Sequence, residues 1–106
     1  MSAPAFNKSV ANPNQTIDLI TRQNTYLIFK EAINNIAKHA NATQVSIDLV
    51  ITASYIKLEI INNGKPKPVE KRGMGLSNME MRAQKMKASL FIDTDNNYRL
   101  LLMKRF

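Results

Sequence analysis

The chain is 106 residues long, has no cysteine, and carries 15 basic against 8 acidic residues for a net charge of +7. Disulfides, thiolate metal centres and cysteine nucleophiles are therefore excluded. Its apolar runs are too short and too interrupted by charge for a membrane span or a secretory signal, so one cytoplasmic domain is expected.

The basic balance favours polyanionic partners, nucleotide phosphates among them. No basic tract with interleaved aromatics is present, so neither nucleic acid nor direct membrane contact is expected.

Residues 1–16, with Pro4, Pro13 and several Asn, read as an irregular N-terminal segment in which at most 5–11 forms an edge strand. Residues 17–106 read as the domain proper. From about Asp18 to Ala40 the pattern is helical. Phe29, Ala32, Ile33, Ile36 and Ala40 form an apolar stripe, and Lys30, Asn34 and Lys38 fall on the wetter side. Val45, Ile47 and Leu49 alternate with polar residues, as do Ile56, Leu58 and Ile60 within 55–61, with a turn at Ala53-Ser54 between them. That is an antiparallel hairpin. Gly64, Pro66 and Pro68 make 62–72 a loop. Leu76, Met79, Ala83 and Met86 set a second amphipathic helix, and 90–94 with 98–103 a closing hairpin. The fold class is α+β: a two-layer α/β sandwich, its mostly antiparallel mixed sheet covered on one face by helices.

Three polar side chains stand four residues apart on the first helix: Glu31, Asn35 and His39. At about 100° per residue, steps of four drift only about 40°, so the three form one ridge bordering the apolar stripe. An acid, a neutral oxygen donor and an imidazole on one ridge could hold a hydrated metal and its phosphates. Magnesium keeps several waters and prefers oxygen ligands, which one Asn oxygen plus phosphates would satisfy. Downstream, Gly75 before a helix lets backbone amides approach phosphate oxygens. Lys65, Lys67, Lys71 and Arg72 supply cations in the intervening loop. Each element has a plainer explanation. Glu31 alone is an ordinary helix-surface residue, His39 a favourable charge near a helix C-terminus, and Asn62-Asn63-Gly64 a turn. Their co-occurrence is what those explanations leave out. No P-loop and no dinucleotide G-x-G-x-x-G motif is present.

The segment Tyr26-Leu27-Ile28-Phe29-Lys30-Glu31-Ala32-Ile33-Asn34-Asn35-Ile36-Ala37-Lys38-His39-Ala40 resembles the N box of sensor histidine kinases, particularly their nitrate/nitrite-sensor branch. Asn62-Asn63-Gly64 resembles the first glycine box of their ATP-binding catalytic domain. Gly73-Met74-Gly75-Leu76-Ser77-Asn78-Met79, with Arg82-Ala83 following, resembles the second. The resemblance spans Arg22 to about Phe106 and implies the Bergerat fold shared with gyrase, mismatch-repair ATPases and heat-shock chaperones. It also implies ATP and Mg2+ as cofactors. By it, Asn35 would hold magnesium, Glu31 would be the catalytic polar group near the γ-phosphate, and Lys38 and His39 would lie near phosphates or ribose. Asn62, Gly64, Gly73, Met74, Gly75, Leu76 and Tyr98 would complete the nucleotide site.

Three positions depart from the family pattern. Asn62 replaces the adenine-reading Asp, Lys87-Ala88 replaces a glycine pair, and Asn97-Tyr98 replaces a Gly-Thr. The expected function is binding of Mg·ATP and donation of the γ-phosphate to a histidine on a separate helical dimerisation and phosphoacceptor domain, with a response regulator as indirect partner. The only histidine is His39, inside the motif, so full autokinase activity is not expected of this chain alone. The alternative is a degenerate module of the same fold, used for protein–protein interaction with weak or no ATP binding.

Overall fold

The computed structural model describes residues 5–10, 17–39, 44–63, 76–93 and 97–106. In chain order these form β1 (Ala5–Val10), α1 (Leu19–His39), β2 (Val45–Ile51), β3 (Tyr55–Asn62), α2 (Leu76–Lys85), β4 (Ser89–Asp93) and β5 (Arg99–Arg105). One five-stranded sheet has the order β1-β2-β3-β5-β4. Four strands pair antiparallel, and β1 joins the edge parallel to β2. Parallel neighbours need a long crossover, and the 21-residue α1 supplies it. The α+β sandwich expected from the periodicities is the fold observed.

Each element ends where its local chemistry says it should. Asp18 caps α1, accepting from the Thr21 backbone N–H at 2.8 Å and the Thr21 hydroxyl at 3.0 Å. Those two bonds hold its carboxyl below the usual carboxylate range. The β2–β3 hairpin closes through Thr52 N–H donating to the Tyr55 carbonyl at 2.8 Å. The Thr52 hydroxyl accepts from the Ser54 and Tyr55 amides.

At the end of α2, Ala88 N–H donates to the Ala83 carbonyl at 2.9 Å and Lys87 N–H to Gln84 at 3.0 Å. This is a Schellman cap, whose pivot normally is glycine. Here Lys87 occupies the pivot at φ 57°. The Lys104 ammonium adds a bond to the Met86 carbonyl at 2.6 Å. A side chain in the left-handed region carries a steric penalty that glycine avoids, partly offset by glycine's greater unfolded-state freedom. Lys87→Gly is therefore expected to stabilise the domain by about 0.5–1 kcal/mol, raising the melting midpoint by roughly 2–8 °C. A midpoint at or below wild type would show that the Lys87 side chain contributes contacts that outweigh the strain.

The core lies between the helix pair and one face of the sheet. Ile28, Ala32 and Ile36 come from α1, with Met79 and Ala83 from α2 and Met86 just beyond its end. Val45, Ile47, Leu58, Ile60, Leu100 and Leu102 face them from the strands. Residues 56, 58, 60 and 62 of β3 are all buried, as are 98, 100 and 102 at and along β5. Period-2 geometry therefore carries the inward face of both strands to the sheet end, where the apolar residues give way to Asn62 and Tyr98.

Candidate functional site

The structure sorts neighbouring polar residues into opposite roles. On α1, Asn35 is only 4 % exposed while Asn34 is exposed. One residue turns the helix about 100°, enough to move a side chain from the core boundary to water. Glu31, one turn earlier, is half-buried. Of the predicted ridge, Glu31 and Asn35 are thus placed at the boundary. The side chains of Lys38 and His39 lie outside the described residues, as do Gly64, Gly73, Met74, Gly75 and the cations at 65, 67, 71 and 72.

Asn62 and Asn63 diverge in the same way. Asn63 accepts the Gln44 amide on its side-chain oxygen at 3.1 Å, and its own amide donates to the Gln44 carbonyl at 3.2 Å. It clamps the start of β2 to the end of β3. Asn62 is 2 % exposed and points into the core face. Its backbone N–H donates to the Tyr98 carbonyl at 3.1 Å, and its side-chain amide reaches the same oxygen at a long 3.4 Å.

Tyr98 is wholly buried within the core cluster. Among the described residues its hydroxyl has no hydrogen-bond partner of ordinary length and angle. Burial pushes the phenol up to about 12, the nearby Asn35 side chain pulls it down, and the charge of Glu31 pushes it up again. Asn35, Glu31, Asn62 and Tyr98 are therefore neighbours around one end of the sheet. Three of them are polar groups buried where apolar residues would cost less, a pattern that calls for an explanation beyond packing.

Two concave surfaces differ in chemistry and in place. The larger, about 360 Å³, is lined by Tyr26, Phe29, Leu49, Ile51, Ile56 and Leu58. It is almost entirely apolar and sits at the opposite end of the strands. The second, about 300 Å³, runs between the helices and is lined by Lys30, Glu31, Asn34, Asn78 and Arg82. Glu31 belongs both to this groove and to the surroundings of the Tyr98 phenol. The first turn of α2 has no acidic residue, so its N-terminal amides present positive potential beside Asn78. A groove with two cations, one carboxylate and the first turn of a helix beside it can receive phosphate and hold a proton acceptor near it.

Sequence reading did not single out Lys30 or Arg82 for this groove. Their spacing from Glu31 and Asn78 on two separate helices leaves no local signal, and only the packing of α1 on α2 brings them together. Among the described residues no cluster of three or more His, Cys, Asp or Glu could hold a metal. The donor set fits magnesium in one way: the buried neutral oxygen of Asn35, completed by phosphate oxygens and water.

Comparison with known proteins agrees with this architecture. The chain is 36% identical over 70 residues, 63% of its length, to the sensor protein VraS of Staphylococcus haemolyticus. The same identity holds over the same span to VraS of Staphylococcus aureus. In both cases it spans only 20% of the relative's length. Among solved structures, Acinetobacter baumannii histidine kinase AdeS superposes with a TM-score of 0.71 at 13% identity. That match covers 96% of this chain and 54% of AdeS. The catalytic domain of histidine kinase ThkA gives 0.66 at 15% identity, covering 96% and 80%. No family model matches the sequence. The chain has the fold of histidine-kinase catalytic domains and is similar in sequence to the sensor protein VraS over 63% of its length.

Proposed function

We propose that this chain binds Mg·ATP and presents the γ-phosphoryl group to a histidine on a separate helical dimerisation and phosphoacceptor domain, with a response regulator downstream. The convergence of Glu31, Asn35, Asn62 and Tyr98 at one end of the sheet carries this reading, because α1, β3 and the residue before β5 each contribute an inward polar group there. Similarity to VraS and to histidine-kinase structures supports it. The N-box wording of α1 further favours the nitrate/nitrite-sensor-type branch.

Asn35 would hold the magnesium ion, whose charge neutralises the phosphates. The amides at the start of α2, with Gly73, Met74, Gly75 and Leu76, would cradle phosphate oxygens. Lys38 and His39 would lie near phosphates or ribose, and Asn62 and Gly64 at the base end. Lys30 and Arg82 would offset charge on the transferring group from the groove walls. Glu31, which lines the same groove, would orient an incoming imidazole and hold the proton it gives up. Transfer of this kind rests on alignment and charge stabilisation rather than covalent chemistry by the domain.

We place the domain on the cytoplasmic side of a larger, membrane-anchored sensor. Among the described residues no helix is long and apolar enough to cross a membrane. A second reading, a module kept for protein–protein contact, is favoured by the bulk of Tyr98 at the base end.

Calorimetric titration with Mg·ATP decides between them. Saturable binding at up to millimolar nucleotide is expected, and its absence would leave the contact module. Transfer to a supplied phosphoacceptor domain then tests Glu31. Glu31→Gln should lower the rate on the order of 100-fold with affinity nearly unchanged, as loss of a proton acceptor does. An unchanged rate would return Glu31 to an ordinary helix-surface role.

A further inference from the structure

Tyr98 is a costly choice for a core position. A buried hydroxyl that meets its neighbour Asn35 outside ordinary hydrogen-bond geometry carries a desolvation penalty that phenylalanine would avoid. Its ring nonetheless packs in the cluster with no exposed surface. Its backbone carbonyl is bound by Asn62, and its hydroxyl end approaches Asn35 and Glu31. The side chain thus spans the distance from the end of β3 to the middle of α1. Those are the two places assigned above to the base and to the metal, so the ring occupies the space between them.

We propose that Tyr98 fills the base compartment of the site, and that the chain takes triphosphates by their phosphate end with little discrimination between bases. The inference rests on the nucleotide reading above and names the ligand class of the same site. What stays accessible is the groove lined mainly by Lys30, Glu31, Asn34, Asn78 and Arg82, with Leu27 and Met79 as its apolar part. A ligand held there gains from charge and hydrogen bonding to phosphate and little from burial of a heterocycle.

The test compares Mg·ATP, Mg·GTP and Mg·tripolyphosphate by calorimetry, on wild type and on Tyr98→Thr, with folding checked by circular dichroism. Wild type should bind all three within about threefold, because the base contributes so little. Tyr98→Thr should tighten Mg·ATP about tenfold or more while leaving tripolyphosphate unmoved, since only the base compartment has been opened. The inference is overturned if wild type prefers Mg·ATP over tripolyphosphate by tenfold, a measurement that needs no variant. A folded Tyr98→Thr with an unchanged ratio would overturn it equally. If neither protein binds any of the three, the nucleotide function itself fails. Tripolyphosphate binding with strong base preference would remove this inference alone.

Discussion

Asn35→Ala is expected to abolish the magnesium dependence of nucleotide binding, whereas Asn34→Ala should leave it intact. The two residues are adjacent and chemically identical, so composition and charge are held constant across the comparison. They differ in direction: Asn35 is 4 % exposed beside Glu31 and the Tyr98 phenol, and Asn34 lies on the exposed side of α1, along the groove wall. Losing a group that merely orients a metal ligand commonly costs 10–100-fold in affinity, so loss of the ligand itself should cost at least about that much. Titrations in magnesium and in EDTA separate the metal-linked part from any general weakening. Asn35 is also buried, so its removal should lower stability, by roughly 1–3 kcal/mol if a core polar group is left unmatched. Asn34→Ala should be neutral or slightly stabilising, because Ala is the better helix former on a solvated face. Thermal melts report that difference independently of nucleotide. Equal loss of magnesium dependence in both variants, or in neither, would sink the assignment of the metal to Asn35.

How much of this was legible in the chain depends on whether a signal is local. The two helices and the strand alternations follow from periods of 3.6 and 2, and the structure shows them within a residue or two of where the patterns place them. Ile28 was absent from the expected α1 stripe yet is fully buried, while Phe29, included in it, is only partly buried. The face is rotated slightly toward the N-terminal side. β3 was expected to end at Ile61, because Asn is a turn former. Its alternation continues one residue further and carries Asn62 inward, opposite Tyr98. That burial follows from strand parity, which outweighs residue propensity at this position.

The parallel pairing of β1 could not be read from six residues, since it depends on the path of α1. Nor could the left-handed Lys87, since the usual signal for that conformation is the glycine this chain lacks. Of the proposed site, the inward direction of Asn35 was legible from helical phase alone. The groove formed by Lys30, Glu31, Asn34, Asn78 and Arg82 was not, because it exists only once α1 packs on α2.

Asn62→Asp should destabilise the fold before it affects nucleotide, even though a carboxylate stands at this position in the kinase pattern the sequence resembles. In the structure the Asn62 amide nitrogen faces the Tyr98 carbonyl at 3.4 Å, with 2 % of the residue exposed. An ionised carboxylate has no N–H to offer, so it would set oxygen against oxygen in a site closed to water. The expected cost at pH 7 is about 2–3 kcal/mol, in the range for losing that buried bond and setting a charge against the carbonyl. For a domain of this size that lowers the melting midpoint by roughly 10 °C or more. Burial should also raise the folded-state pKa of the new carboxyl above its unfolded value near about 4. The neutral form is then the one the fold tolerates. Stability relative to wild type should therefore recover as pH falls toward about 4 and be lost as pH rises through the raised folded value.

Urea midpoints of both proteins at the two pH values measure this directly. A variant as stable as wild type at pH 7, with no extra pH dependence, would show that water already reaches position 62. The advantage of a charged acceptor, a hydrogen bond roughly twice as strong as a neutral one, becomes available only when a base amine can come within reach. That requires the Tyr98 ring to leave. Asn62→Asp should consequently tighten Mg·ATP only in the Tyr98→Thr background, where the added room also admits water to the carboxylate. The double-mutant cycle should show coupling of about 1 kcal/mol or more in both stability and affinity, as expected for residues sharing one compartment. Additive effects would place the two side chains in separate environments.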